Sequence, residues 1–190
     1  MGDLRVALQV DRLSLAFAGL KALSDVSFAI PQGSIFGLIG PNGAGKTTLL
    51  NCLTRIYSPD SGALRFGDTE LLNKSLHDIT SLGIARTFQN LELFGAASAL
   101  DNVLIGALSR TKISFLSDLL GLPSAVRALA DASSRALDLM EKLQIADSAH
   151  RQGSTLAYGV QKRVELARAL MTEPTLLLLD EPAAGLNAEE

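Results

Sequence analysis

The stretch Gly40-Pro41-Asn42-Gly43-Ala44-Gly45-Lys46-Thr47-Thr48 decides how the rest of the chain is read. It has the Gly-x-x-x-x-Gly-Lys-[Ser/Thr] spacing of a loop that cradles phosphate. Glycines at 40, 43 and 45 permit backbone conformations closed to other residues, so successive N–H groups can turn inward onto phosphate oxygens. A helix starting here points its positive end at the same anion. Lys46 is placed to reach the β- and γ-phosphates, and the Thr47 hydroxyl to ligate Mg2+. Four such fixed positions coincide by chance in under about 1% of chains this long, which favours a nucleotide site over an accidental Gly-rich turn.

The flanks agree with that reading. Ser34-Ile35-Phe36-Gly37-Leu38-Ile39 is a nearly continuous apolar run without helical period, which predicts a strand buried on both faces. Leu49, Leu50, Leu53 and Ile56 follow at helical spacing and predict one inward face. The loop is therefore expected between a strand and a helix.

Bulk properties narrow the class. A chain of 190 residues, 47% of them hydrophobic, can bury one sizeable core. The formal net charge is -3 and the basic residues are scattered, so no electrostatic footprint for nucleic acid is present. The single Cys52 cannot form an internal disulfide and reads as a small core residue in a reducing compartment. Met1-Gly2-Asp3 leads into no apolar signal region, and no stretch approaches the ~20 apolar residues needed to cross a bilayer. Any role at a membrane is expected to be peripheral.

Along the chain, Val6, Leu8 and Val10 alternate, as do Leu13, Leu15 and Phe17, and then Val26, Phe28 and Ile30 ahead of the Pro31-Gln32-Gly33 turn. This predicts antiparallel strands with one covered face. Phe17 can be read either as a core residue or as an aromatic that stacks on a base. Ser58-Pro59-Asp60-Ser61-Gly62 is turn chemistry ahead of a strand at Leu64-Arg65-Phe66. Ser75 is a predicted N-cap for a short helix with Leu76, Ile79 and Leu82 inward, stopped by Gly83. Ile84 to Phe88 is a second buried strand, delivering Gln89 at the sheet edge where ligands of open α/β sheets collect.

Helices are expected from Asp101 to about Ile145. One stripe is Val103, Leu104 and Leu108; another is Val126, Leu129, Leu137, Met140 and Leu143. Lys112 to Leu122 is apolar for a connector and reads either as a binding surface or as buried helix. Leu156-Ala157-Tyr158-Gly159-Val160-Gln161 opens a helix with Val164, Ala167 and Leu170 inward, a second potential anion site. Leu176 to Leu179 then reads as a buried strand ending in Asp180-Glu181-Pro182. An acid there suits a metal beside a phosphate loop, and Glu181 is placed to accept a proton from the attacking water.

Taken in order, Gly40 to Thr48, Gln89, Leu156 to Gln161 and Leu176 to Glu181 resemble the motif set of ATP-binding subunits of ABC transporters over essentially the whole chain. The resemblance implies an α/β P-loop NTPase fold with an antiparallel β subdomain and a helical subdomain over about 90–160. It implies ATP and Mg2+ as ligands. Phe17 becomes the aromatic that stacks on adenine, and Gln89 the hinge residue touching metal and attacking water. Residues 156–161 become the signature segment that closes over ATP held by a second ATPase subunit. Thr47 and Asp180 are implied as metal-coordinating residues and Glu181 as catalytic base, with Lys46 and Gln89 assisting. Ala183 to Asn187 is the implied turn across the dimer interface.

A narrower likeness is to the longer ATPase subunit of branched-chain amino-acid importers. It rests on Phe17 to Leu23, Gly83 to Asn90 with Leu93-Phe94, Leu156 to Gly159, and Asp180 to Asn187. Relatives that import urea or other amides, or move lipopolysaccharide, are close to the same pattern. The implied partners are integral permease subunits and, indirectly, a substrate-binding protein, with no nucleic acid. The implied location is the cytoplasmic face of the cell membrane. A soluble ABC-type ATPase without a permease, and a hydrolysis-deficient fragment, are the competing readings.

Three departures stand out. Ala157 and Tyr158 replace the usual Ser-Gly of the signature, so no serine hydroxyl reaches the γ-phosphate. Arg55 stands where the family commonly has glycine. Family members continue beyond the equivalent of Glu190 to a histidine that contacts the γ-phosphate, and neither His77 nor His150 is in that position. A C-terminally truncated product is therefore expected.

Overall fold

The computed structural model describes residues 6–87, 93–108 and 123–182, with the side chains of residues 108 and 123–125 left aside. They fall into two compact units divided between Leu82 and Gly83.

In the first unit, β1 (Val6–Phe17) pairs antiparallel with β2 (Leu20–Pro31) and with β3 (Ser61–Phe66), and β3 pairs with β4 (Thr69–Glu70). The sheet order is β2-β1-β3-β4. The alternation expected of β1 is present but changes parity: Leu8 and Val10 are buried, then Leu13 and Leu15. A register shift between Val10 and Leu13, with Arg12 at φ 47, supplies the extra residue. This bulge keeps both halves of a long strand facing one core. The Arg12 amide, thrown out of the ladder, donates to Ser27 Oγ at 2.8 Å.

Helix α1 (Lys46–Leu53) buries Leu49, Leu50, Cys52 and Leu53. Burial pushes the Cys52 thiol up to about 11, against a smaller opposing pull from Arg55, so it is an inert core group. The helix ends earlier than expected. Ile56, assigned from its spacing to the inward face, lies past the cap and is exposed.

The reason lies in the hydrogen bonds at that end. The Ile56 amide donates to Asn51 O at 2.9 Å and the Arg55 amide to Cys52 O at 3.1 Å, which is a Schellman closure. Arg55 sits at its left-handed position with φ 61. An arginine occupies the place glycine fills at least cost, and its Nε donates to Lys74 O at 3.2 Å. Left-handed strain costs ~1–2 kcal/mol in a residue with Cβ, against ~1.5–3 kcal/mol for a hydrogen bond from a charged donor. The two terms are of similar size, so Arg55→Gly is expected to shift stability by no more than about 1 kcal/mol, read as a denaturant midpoint close to the native one at unchanged slope. A midpoint raised by more than that would show that the strain outweighs the Lys74 contact.

The strand expected at Ser34–Ile39 is not formed. Among the described residues the segment has no ladder partner, and Ile35, Phe36, Leu38 and Ile39 are all exposed. An apolar run becomes a buried strand only when neighbours take up its N–H and C=O groups on both sides. Here the sheet of this unit closes through other pairings, and only Phe36 finds a stacked partner, Phe28, at 5.2 Å. The short helix α2 (Leu76–Ser81) forms as expected. Ser75 and Asp78 make a reciprocal capping box, and the two hydrogen bonds from Ser75 hold the Asp78 carboxyl below its usual range. Ile79 is buried, but Leu76, expected inward, is exposed at the first turn.

In the second unit, β5 (Ile84–Arg86) and β6 (Leu176–Leu178) pair in parallel, with Arg86 opposite Leu178. A helical cluster joins α3 (Ala99–Leu108), α4 (Pro123–Lys142) and α5 (Tyr158–Met171). Its core contains Val103, Ala132, Ala136, Met140, Leu156, Val164, Ala167 and Met171. Val103, Met140, Val164 and Ala167 are inward as expected, and Leu104 and Leu143 pack at the margin. Leu170 is half-buried rather than core.

The stripe expected on α4 is displaced. Val126, Leu129 and Leu137 are exposed, and the inward face is Ala132, Ala136 and Met140. Close approach explains the choice, since small residues let helix backbones come nearer than branched ones. The approach of α3 to α5 is close as well: a Cβ on Gly106 would lie 2.1 Å from the Arg168 carbonyl. The segment Lys112 to Leu122 lies outside the described residues.

Candidate functional site

Of the three glycines expected to take conformations closed to other residues, Gly43 and Gly45 are left-handed and Gly40 is not. Gly43 has φ 82 and Gly45, the residue ahead of α1, has φ 85. Gly45 also admits no side chain, because a Cβ would lie 2.5 Å from Ala22 O and 3.1 Å from Leu23 Cδ2. A turn across Pro41 to Ala44 closes with the Ala44 amide on Pro41 O at 3.2 Å. Lys46 Nζ donates to Gly40 O at 2.7 Å and to Pro41 O at 3.0 Å, so the amine is folded over the loop. No side chain caps α1 and no acid lies in its first turn. The positive helix end around Lys46, Thr47 and Thr48 therefore meets no internal counter-charge from the helix itself, and this fits an anion.

Phe17 closes β1, two residues beyond the Leu15–Leu23 pair. The β1–β2 register pairs Phe17 with Leu20 and Leu15 with Leu23, and Leu23 is the residue against Gly45. Phe17 is not a core residue: 44% of it is exposed, and its ring meets Tyr57 edge-on at 5.2 Å. Tyr57 was not singled out from sequence. Its only signal there was an aromatic immediately ahead of the Ser58–Gly62 turn.

The 156–161 segment is held from beneath. Asn102, fully buried, accepts from the Phe94 amide at 2.8 Å and donates to Phe94 O at 3.1 Å and Ser98 O at 2.9 Å. The strip so fixed receives the Gly153 amide on Ala97 O at 2.9 Å and the Ser154 amide on Gly95 O at 3.1 Å. Gln161 Nε2 then donates to Gly153 O at 3.0 Å and Leu156 O at 3.1 Å. The side chains of Leu156, Val160 and Gln161 are thus engaged in the fold of the segment, while Gly159 is buried. Ala157 and Tyr158 are exposed, and no side chain caps the start of α5. Any phosphate contact falls to first-turn N–H groups rather than to a hydroxyl.

At the carboxyl end of β6, Asp180 is buried and ion-paired to Arg86, Nη2 to Oδ2 at 2.9 Å. Its amide lies 3.4 Å from Thr87 Oγ1. Glu181 follows, half-buried, with φ 48 ahead of Pro182. A non-glycine residue held there stores backbone strain of a kind that gathers at functional sites. The one sign of Arg86 in the sequence is a charge inside an otherwise apolar strand. Gln89 and Ala183 to Asn187 lie outside the described residues. Among the described residues there is no cluster of three or more His, Cys, Asp or Glu that could hold a metal. Thr47 carries a hydroxyl and Asp180 a carboxylate, each a hard oxygen donor of the kind Mg2+ takes.

Comparison with known proteins gives the family and the fold. A family model described as ABC transporter matches residues 23–184. The high-affinity branched-chain amino acid transport ATP-binding protein BraF of Pseudomonas aeruginosa is 40% identical over 186 residues, covering 98% of this chain and 73% of the relative. LivG of Escherichia coli, with the same description, is 42% identical over 183 residues, covering 96% and 72%. Among solved structures, a nucleotide-free ATP-binding cassette from an ABC transporter superposes with a TM-score of 0.78 at 32% identity, covering 95% of this chain and 70% of that one. The ADP conformation of such a cassette gives 0.77 at 31%, covering 96% and 71%.

Proposed function

Because this chain belongs to the ABC transporter family and is one of its ATP-binding, ATP-hydrolysing members, we propose that it powers uptake of branched-chain amino acids as a peripheral subunit at the cytoplasmic face of the membrane. The uptake reading is carried by identity of 40% and 42%, over nearly the whole chain, to two proteins described as branched-chain amino acid transport ATP-binding proteins. Among the described residues no helix is long and apolar enough to cross a membrane. In this reading integral permease subunits form the path for the solute, and a substrate-binding protein delivers it.

In this reading both units form one nucleotide-binding domain. The amides of residues 40 and 42–48 wrap the triphosphate, Lys46 neutralises its β- and γ-oxygens, and Phe17 stacks on adenine. Thr47 and Asp180 hold Mg2+, with Gln89 beside it. When bound, that ion neutralises developing charge on the phosphates. Glu181 orients the attacking water and accepts its proton. A second ATPase subunit places its own first-turn amides, at the position of Gly159, over the γ-phosphate. Phosphoryl transfer demands positioning and charge compensation rather than covalent chemistry, and these residues supply both.

Calorimetry with ATP in Mg2+ and in EDTA tests the site. Binding in the micromolar range, lost in Lys46→Ala, is the expected result, and no heat under either condition would refute it. Co-purification with permease subunits from membranes tests the transport role.

A further inference from the structure

Arg86 and Asp180 form a buried ion pair at the end of the β5–β6 sheet, where the metal-binding acid is expected. Their side chains are 4% and 3% exposed, and Nη2 lies 2.9 Å from Oδ2. The placement is fixed by the ladder. Arg86 is opposite Leu178, the Thr87 amide donates to Leu178 O at 3.0 Å, and Asp180 follows two residues past Leu178, beside the end of β5. The last residue of β5, Arg86, and the residue after it, Thr87, therefore both address Asp180.

A buried carboxylate needs a compensating charge, and a guanidinium supplies one in fixed geometry. The same guanidinium repels any second cation that approaches that carboxylate. We propose that Arg86 is a positioning residue for the metal-binding acid, a resident counter-ion that orients Asp180 and against which Mg2+ must compete. This rests on the reading of Asp180 as a metal ligand. Mg2+ occupancy then follows nucleotide binding, because phosphate oxygens add the negative charge needed to draw the ion past Arg86. Free Mg2+ alone is held weakly.

The test is Mg2+ affinity in the presence of a non-hydrolysable ATP analogue, read by displacement of Mn2+ in electron paramagnetic resonance. Arg86→Gln keeps an N–H donor and removes the charge, so apparent affinity is expected to rise about tenfold, the size of effect an arginine exerts on an adjacent carboxylate. Arg86→Lys keeps the charge and is expected to stay within about threefold of the native chain. Unchanged or weaker binding in Arg86→Gln, or a lysine variant that behaves like glutamine, would overturn the proposal. Asp180→Asn serves as the separate control for the underlying reading. If it leaves Mg2+ affinity untouched, the metal assignment of Asp180 fails, whereas its loss together with an inert Arg86→Gln sinks only the counter-ion role. Should Arg86→Gln not fold, the native protein still decides. The guanidinium protons of Arg86, assigned by NMR, are expected to exchange faster when Mg2+ is added to the nucleotide complex, and unchanged protection would refute the competition.

Discussion

Replacing Glu181 by glutamine is expected to cut steady-state ATP turnover by about 10²- to 10³-fold while leaving nucleotide affinity within a few-fold of the native chain. The substitution preserves volume and removes only the ability to take a proton. Glu181 follows a buried, ion-paired Asp180 and precedes Pro182, in a left-handed conformation that limits where its side chain can point. Because the residue is placed by the backbone, glutamine should occupy the same position, and the lost rate can be assigned to chemistry. With hydrolysis stopped and binding intact, a closed pair of subunits should accumulate in ATP, visible by size exclusion with light scattering. Native turnover in the variant would remove Glu181 from the role of base.

Gly45→Ala is expected to weaken ATP binding by roughly 100-fold, whereas Gly43→Ala should cost about tenfold or less. Both glycines have positive φ, 85 and 82, so both substitutions carry the left-handed penalty. They differ in what the new methyl meets. At Gly45 it would lie 2.5 Å from a backbone carbonyl of Ala22, which cannot rotate away, and at Gly43 nothing stands within 4 Å. The loop must therefore shift off β2 in the first variant, dragging the first-turn amides of α1 away from the phosphates. Titration calorimetry on the two variants side by side reads the difference. Equal losses would mean that strain alone governs the loop.

The parts of this molecule legible in its residues are those set by local chemistry. The left-handed glycines of the phosphate loop, the capping box at Ser75 and the hairpin of β1 and β2 all follow from residues close in sequence, and all are present. Long-range decisions were harder to read. Ser34 to Ile39 has the composition of a buried strand, but strand formation is settled by partners and not by the segment itself. On α4 the bulkiest apolar residues suggested one face, yet the inward face belongs to Ala132 and Ala136, because close packing favours small side chains over hydrophobic ones. At the site, Lys46, Thr47, Asp180 and Glu181 stood out through spacing. Arg86 did not, since its meaning depends on a residue 94 positions away that only the parallel ladder brings beside it.

The amine of Lys46, bridging two carbonyls of its own loop, bears on the energetics of encounter. A free lysine tail carries ~2 kcal/mol of rotamer entropy, and here most of it is surrendered when the chain folds. In the proposed mode of binding, the arriving nucleotide exchanges one set of partners for another at a cation already in place. Affinity at this loop is then a difference between two occupied arrangements, with its tightness set by how much better a phosphate oxygen is than a peptide oxygen at the same ammonium.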